Sequence, residues 1–437
     1  MTKKSTRRGI FSWMLFDWAN QPFHALVVTF VFAPYFASRV MDDPAEAQAI
    51  WGATTAAAGF LIAFLAPVLG SVADAGGPRK PWLLAASVPL IVGSLGLWVA
   101  VPGLDPVFPV LIAFAVGYIG AEFTQIFSNA MLPDLAPRDE VGRISGSGWA
   151  LGYLGGLVSL LLVLGLLAPV PGQTVTLLGI APLFGLDPAT GEPERAVGPF
   201  TVIWYVIFAL PLVLYTPDEK RQRPLGRAVR TGVSNLVHTT RHVAQHRSLS
   251  IYLLASMIYR DGLAALFAFG GIYAAGVLGW GLFELGIFGI VAAGTGAIGA
   301  WLGGRVDDRL GPKPVIVAAI WLLIVVCTVL LLTTRQSVLL IPVAPESRAP
   351  DITFFVAGML LGIGSGVLGA SSRTLLVHQA EDRIGGGQAF GLYALSGKAT
   401  AFIGPALIAA ITAATGSQQL GVSPVIGLLV VGAVLLH

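Results

Sequence analysis

Four apolar stretches of this 437-residue sequence carry polar side chains at helical spacing. In the first, FSWMLFDWANQPFHAL, the residues Trp13, Asp17, Asn20 and His24 follow i, i+4, i+7 and i+11, one face of a helix, with Gln21 beside it. The second carries Glu122, Gln125 and Asn129 at i, i+3 and i+7. The third carries Ser256, Tyr259, Arg260 and Asp261. The fourth places Tyr393, Ser396 and Thr400 on one face, with Lys398 roughly 140° away at 100° per residue. An ionisable group at the centre of a membrane helix costs about 2.5–3.5 kcal/mol, so these groups are expected to face one another or water. Such groups can bind a polar solute and pass protons. Asp17 is the leading proton carrier. It is about six residues into its apolar stretch, roughly 9 Å at 1.5 Å per residue, and would exchange protons with the near compartment. Glu122, deeper, would hand over to the solute site, and His24 is expected between the two. Buried pairing between helices is the competing reading of both carboxylates. Arg260 beside Asp261 reads equally as an interhelical ion pair, and Lys398 as a partner of Asp261 or a solute contact. Pro22 leaves the Trp18 carbonyl without its helical amide, so a kink is expected there.

The composition demands a membrane for these stretches. The chain is 55% hydrophobic and 11% charged, with mean hydropathy +0.79, whereas soluble domains carry roughly 25% charged residues. Spanning needs about 20 apolar residues. Twelve candidates occur, at roughly 11–38, 48–73, 82–101, 108–131, 145–168, 198–216, 250–275, 283–304, 314–333, 352–375, 388–413 and 418–437. The basic MTKKSTRR precedes an apolar run too long for a cleaved leader, so it is expected to be retained as the first span. The single Cys327 lies in an apolar run and can form no internal disulfide. SGKAT at Ser396 lacks the glycine six residues before Lys398 and the hydroxyl residue after it, so it is no phosphate loop. No metal-ligand cluster and no Ser/His/Asp set stands out. An enzyme, a metal or organic cofactor and nucleic-acid binding are not expected; a small-molecule substrate, a proton and membrane lipid are the expected partners of a monomer.

Lys and Arg concentrate in cytoplasmic loops. With the N-terminus inside, 20 of the 26 basic residues fall in inside segments, Arg373 and Arg383 among them; Arg39, Arg195, Arg335 and Arg348 fall outside, and Arg260 and Lys398 within spans. Both termini, with the loops ending in Arg79–Lys80 and in Lys313, are therefore expected in the cytoplasm. The expected domains are a six-helix bundle over 1–216, a basic cytoplasmic linker over 217–249, and a second six-helix bundle over 250–437. In the linker Leu225, Val229, Val233, Leu236 and Val243 recur near helical spacing among Arg227, Arg230, Arg241 and His242, so it reads as a helix on the inner membrane surface or as a solvated connection. The apolar but Gly- and Pro-broken 169–197 is expected to cap the outer face.

The two bundles repeat. GSVADAGGPRK, with Gly70, Asp74, Gly77 and Arg79, is answered by GRVDDRLGPK, with Gly304, Asp308, Gly311 and Lys313. RISGSGWALGY from Arg143 to Tyr153 is answered by RIGGGQAFGLY from Arg383 to Tyr393. The first glycine permits close backbone approach and the second a tight turn, while the basic residue is expected at the lipid headgroups. The carboxylate suits the positive N-terminal end of a neighbouring helix, span 11 for Asp74 and span 5 for Asp308. This pair of loops resembles the signature of the major facilitator superfamily, carried between helices 2 and 3 and between helices 8 and 9. The resemblance implies an all-α integral membrane fold of twelve transmembrane helices in two pseudo-symmetric six-helix bundles, and a secondary transporter working by alternating access. The matched spacing makes both loops, with Arg143 and Arg383, an expected conformational latch.

Four phrases narrow it: FDWANQPFHALVVTFVFAPYFA, NAMLPDLAPRDEVGRISGSGWALGYLGG, YRDGLAALFAFGGIYAAG and FGLYALSGKATAFIGPAL. They resemble the autophagy-related vacuolar effluxer branch, whose fungal member is associated with amino-acid export from the vacuole. The resemblance makes Asp17, Trp18, Gly152, Tyr153, Asp261, Gly262 and Lys398 family-motif positions. It implies export, with an amino acid among the candidate substrates, by a protein of a bacterial inner membrane; the acidic and basic groups of the four stripes suit a small polar or zwitterionic metabolite and proton coupling. A lipid or amphiphile exporter and a non-transporting scaffold or sensor on the same fold remain the alternatives.

Overall fold

The computed structural model describes all residues except 1–5, 170–172, 221–223, 225, 233, 235–245, 279, 281, 345 and 381–383, and leaves undescribed the side chains of a few more inside helices. Among the described residues eleven helices are long and apolar enough to cross a membrane, and a shorter apolar one follows. They are α1 (Arg7–Val40), α2 (Pro44–Gly76), α3 (Lys80–Val99), α4 (Phe108–Leu135), α5 (Arg138–Leu167), α6 (Glu192–Tyr215), α7 (Arg247–Leu278), α8 (Leu282–Leu310), α9 (Pro312–Leu331), α10 (Ala349–Ala380), α11 (Gly386–Thr415) and α12 (Ser423–Leu436). This is the twelve-helix arrangement expected from the signature loops and apolar stretches.

Where the sequence breaks a helix, the structure supplies a substitute partner. After Pro22 the winding of α1 loosens to a π-helix over Phe23–Phe30. The Trp18 carbonyl that Pro22 leaves free accepts the indole N–H of Trp204 on α6 at 3.0 Å, and the two rings stack at 5.3 Å. α11 is interrupted between Ala399 and Ile403, and its second segment packs on α7 and α12.

The two halves meet along two antiparallel seams, α2 with α11 and α5 with α8. Glycine makes both seams close. A Cβ on Gly70 would collide with the Gly387 carbonyl, and one on Gly304 with the Gly142 carbonyl. Both contacts lie at the end of the molecule that carries the two signature loops. From there the seams run inward, to Gly391 against Ala66 on one side and Tyr153 against Gly296 on the other. The loop end is closed. Toward the opposite end the Phe30 ring of α1 lies against Gly289 of α8.

The segment before α6 folds onto the end of the first half away from the loops. Arg39 donates to the carbonyls of Pro188 and Ala189, and Arg195 to that of Trp98. Much of the expected linker helix, including Leu225, Val233, Leu236, Arg241, His242 and Val243, lies outside the described residues. Of what is described, residues 226–232 are helical and one side meets protein: Ala228 is 1% exposed and the Gly232 carbonyl accepts the Ser71 hydroxyl of α2 at 2.7 Å, while Arg227, Val229 and Arg230 are exposed.

Candidate functional site

α1 and α4 run antiparallel, and their polar stripes pair rung by rung. The Trp13 indole donates to the Ser128 carbonyl at 2.7 Å. Gln125 Nε2 donates to Asp17 Oδ1 at 2.8 Å and to Asn129 Oδ1 at 3.3 Å. Asn20 Nδ2 donates to Gln125 Oε1 at 3.1 Å and to the Ala121 carbonyl at 3.3 Å. One rung further, the His24 and Tyr118 rings lie 6.3 Å apart, edge to face. Gln125 thus sits where His24 was expected, and His24 lies on the far side of Glu122 from Asp17. The antiparallel register, which a single stripe cannot reveal, is the reason. Gln21 turns away and packs on Gly156 of α5.

Two ion pairs tie this stripe to the other half. Arg373 of α10, 3% exposed, donates through Nη1 to Asp17 Oδ2 and to Asn129 Oδ1, each at 2.9 Å. Its Nε donates to the Ser145 hydroxyl of α5 at 2.9 Å, and its guanidinium lies 4.9 Å from the centre of the Trp13 ring. Lys398 of α11 donates to Glu122 Oε1 at 2.8 Å and to the Tyr118 hydroxyl at 2.6 Å. A cation held on one half and a carboxylate on the other makes each pair a contact that must break if the halves separate. Asp17 is ten residues past the start of α1, roughly 15 Å along it, deeper than the sequence suggested because the helix begins earlier. Glu122 and Lys398 lie further in, Glu122 near the middle of α4 and Lys398 in the last turn before the break in α11, near the middle of that span.

Arg373, which reads from the sequence as a loop cation, belongs to the site. Its place inside the tenth apolar stretch, in SSRTLLV, was the available signal. Lys398 takes Glu122 and not Asp261, because α11 presents its Lys398 side to α4 and its Tyr393 side to α7. Asp261, 3% exposed, is buried where α7 crosses Gly404. Tyr259 is fully buried and shares a hydrogen bond with Ser372 at 2.7 Å. Ser256 and Ser396 bond back to their own helices, at the Leu253 and Tyr393 carbonyls. Arg260 donates to the Tyr393 carbonyl at 2.9 Å, with its guanidinium 4.1 Å from the centre of that ring. It forms no ion pair with Asp261.

At the loop end each signature carboxylate sits on the N-terminus of a helix of the opposite half. Asp74 accepts the amides of Gly387 at 2.9 Å and Gln388 at 2.7 Å on α11. Asp308 accepts the Arg143 amide of α5 at 3.2 Å through both oxygens. Gly77 and Gly311, with φ of 103° and 83°, take the left-handed turns that other residues adopt at a cost. Arg79 corrects the headgroup expectation. It is 5% exposed, pairs with Asp74 at 2.8 Å and Glu219 at 2.9 Å, and so braces the loop from within. Asp218 caps the start of α3, accepting the Arg79 and Lys80 amides at 2.9 Å each. Lys313 is exposed and reaches the His437 carbonyl at 3.4 Å; Arg383 lies outside the described residues.

A carboxylate at a helix N-terminus contributes about 0.3–2 kcal/mol. Asp74→Asn is therefore expected to shift the balance between closed and open loop ends by up to about thirtyfold while expression stays near normal. Transport and expression measured together check this, and loss of expression in step with transport would mean that Asp74 supports the fold.

Comparison with known proteins gives this architecture a family. The family model described as "Vacuole effluxer Atg22 like" matches residues 45–437. The chain is 25% identical over 440 residues to the MFS-type transporter YxiO of Bacillus subtilis (strain 168), covering 100% of this chain and 95% of that protein. It is 25% identical over 313 residues to autophagy-related protein 22 of Botryotinia fuckeliana (strain B05.10), 66% of this chain and 48% of the fungal one, so it spans about half of that relative. Among solved structures, the human organic anion transporter MFSD10 (TETRAN) superposes with a TM-score of 0.72 at 14% identity, over 99% of each chain. That last likeness is one of fold.

Proposed function

The chain belongs to the vacuole effluxer Atg22-like family of MFS-type membrane transporters, and from that premise we propose that it exports a small polar or zwitterionic metabolite by proton-coupled alternating access. It is an integral membrane transporter and not an enzyme. The inner membrane of a bacterium, with both termini and the loop end in the cytoplasm, is the setting we propose, and amino acids are the first substrates to try.

The observation that carries the proposal is the pair of cross-half ion pairs, Asp17–Arg373 and Glu122–Lys398, at two depths behind the closed loop end. With the loop end closed, a proton arriving from outside meets Glu122 first. Neutralising that carboxylate removes its attraction to Lys398 and loosens the inner contact between halves. Once the loop end parts, Asp17 loses Arg373 and can exchange its proton with the cytoplasm. Proton entry and substrate exit then use the same breakable contacts. Signature carboxylates at the opposing helix ends supply a latch at the loop end.

Charged pairs at mid-membrane depth do not favour a lipid or amphiphile exporter, for which an apolar interior would serve. A scaffold reading draws on one observation: both carboxylates are already paired. It differs in requiring the pairs never to break. An untargeted metabolite comparison of deletion and overexpressing cells tests the proposed activity. Accumulation of a polar metabolite inside deletion cells, reversed by overexpression, is expected; indistinguishable profiles would contradict export.

A further inference from the structure

We infer that Arg260 is the oxyanion-binding group of the central site, so that every transported substrate presents a carboxylate or a phosphate. This rests on the transport reading above. The inference starts from the cations of the buried site. Arg373 is committed to Asp17, and Lys398 to Glu122. Arg260 has no carboxylate at ion-pair distance among the described residues; its partners are the carbonyl and the ring of Tyr393. Asp261, adjacent in sequence, is turned about 100° around α7; its backbone carbonyl lies against Gly404, and its carboxylate acts on Arg260 only through space, without ion-pair contact.

An arginine at this depth is costly without a partner anion. Arg260 is thirteen residues into α7, roughly 20 Å from its loop end, and so near the level of the Glu122–Lys398 pair. Glu122 lies within electrostatic range of it. The side chain is held in place rather than adrift. Gly397 leaves the space its guanidinium occupies, the Tyr393 ring covers one face, and Tyr252 stacks parallel to Tyr393 at 6.4 Å. A guanidinium offers five N–H donors in a planar fork that matches an oxyanion through two parallel bonds. One nitrogen is used by the Tyr393 carbonyl, which fixes the fork and leaves donors for a ligand. Substrate binding would then supply the anion that the protein withholds, and an amine lacking any oxyanion would bring a second unpaired cation beside Lys398.

The test uses full-length protein in proteoliposomes loaded with an extract of soluble host metabolites, with the released compounds identified by mass spectrometry. The expected release consists of carboxylates or phosphates, and the compounds found say which. Arg260→Gln should reduce it at least tenfold. Arg260→Lys, which keeps the charge and loses the fork, should release the same compounds at higher loading. Methyl esters of the released acids should not be released by the unaltered protein, a result independent of how any variant folds. Release of compounds without an anionic group, or of the esters as readily as the acids, would overturn the assignment while leaving transport intact. Release of nothing would overturn the export reading and this one with it.

Discussion

Arg373→Met is expected to reduce transport at least a hundredfold and to lower thermal stability in detergent. The change strands the Asp17 carboxylate, whose remaining donor is Gln125, and it removes the link from α10 to Ser145 and Asn129. Breaking a buried pair by removing one partner costs about 3–5 kcal/mol, and each 1.4 kcal/mol is about tenfold in a population. Closed loop ends would become correspondingly rare. Replacing both partners leaves no unpaired charge, so the double variant Asp17→Asn, Arg373→Met should be more stable than Arg373→Met alone. Thermal unfolding of the two, measured side by side, checks the argument. Equal stability would show that Asp17 is not the group left stranded. Asp17→Asn alone leaves Arg373 its bonds to Ser145 and Asn129, and should lose pH-driven accumulation while keeping substrate exchange, which needs no net proton movement.

Glu122→Gln is expected to bring accumulation driven by an imposed pH difference down to background while exchange persists within a few-fold. The amide keeps the size and an oxygen to accept from Lys398, and removes the titrating group. Accumulation and exchange are both read in proteoliposomes. Accumulation at the unaltered level would pass the coupling role to Asp17. Loss of both activities with intact folding would place Glu122 in substrate binding, since exchange cannot proceed without that.

How far the site can be read from sequence depended on whether a feature is local. The signature loops are short, and their two glycines dictate the turn, so the spacing alone indicated where Asp74 and Asp308 would be presented. The α1 stripe is local too: Trp13, Asp17 and Asn20 share one face because the helix is regular up to Pro22. Its partners are not local. That Asn20 meets Ala121 and His24 meets Tyr118 follows from how α1 and α4 slide past each other, which neither sequence stretch encodes by itself. Lys398 shows both sides of this. Its angle from Tyr393 separates two sides of α11, and only packing says that the side bearing Lys398 meets Glu122. Arg373 was missed for a different reason, because a charge near the end of an apolar stretch reads as a loop residue until the helix is seen to continue to Ala380. Arg79 failed as a headgroup anchor because Asp218 and Glu219, distant in sequence, fold back onto its loop.

The central claim is that the cross-half contacts at the loop end break and re-form during function. Distances between spin labels test it most directly. With Cys327→Ala as background, one labelled pair would be Pro81→Cys with Pro314→Cys, at the loop-end starts of α3 and α9. A second would be Phe184→Cys with Leu340→Cys, both exposed at the opposite end. The account predicts two populations for the loop-end pair, the shorter matching the closed structure. Asp74→Asn should move weight to the longer distance, with the opposite-end pair shortening in step. A single loop-end distance, unchanged by Asp74→Asn and by Arg373→Met, would contradict alternating access and favour a rigid scaffold.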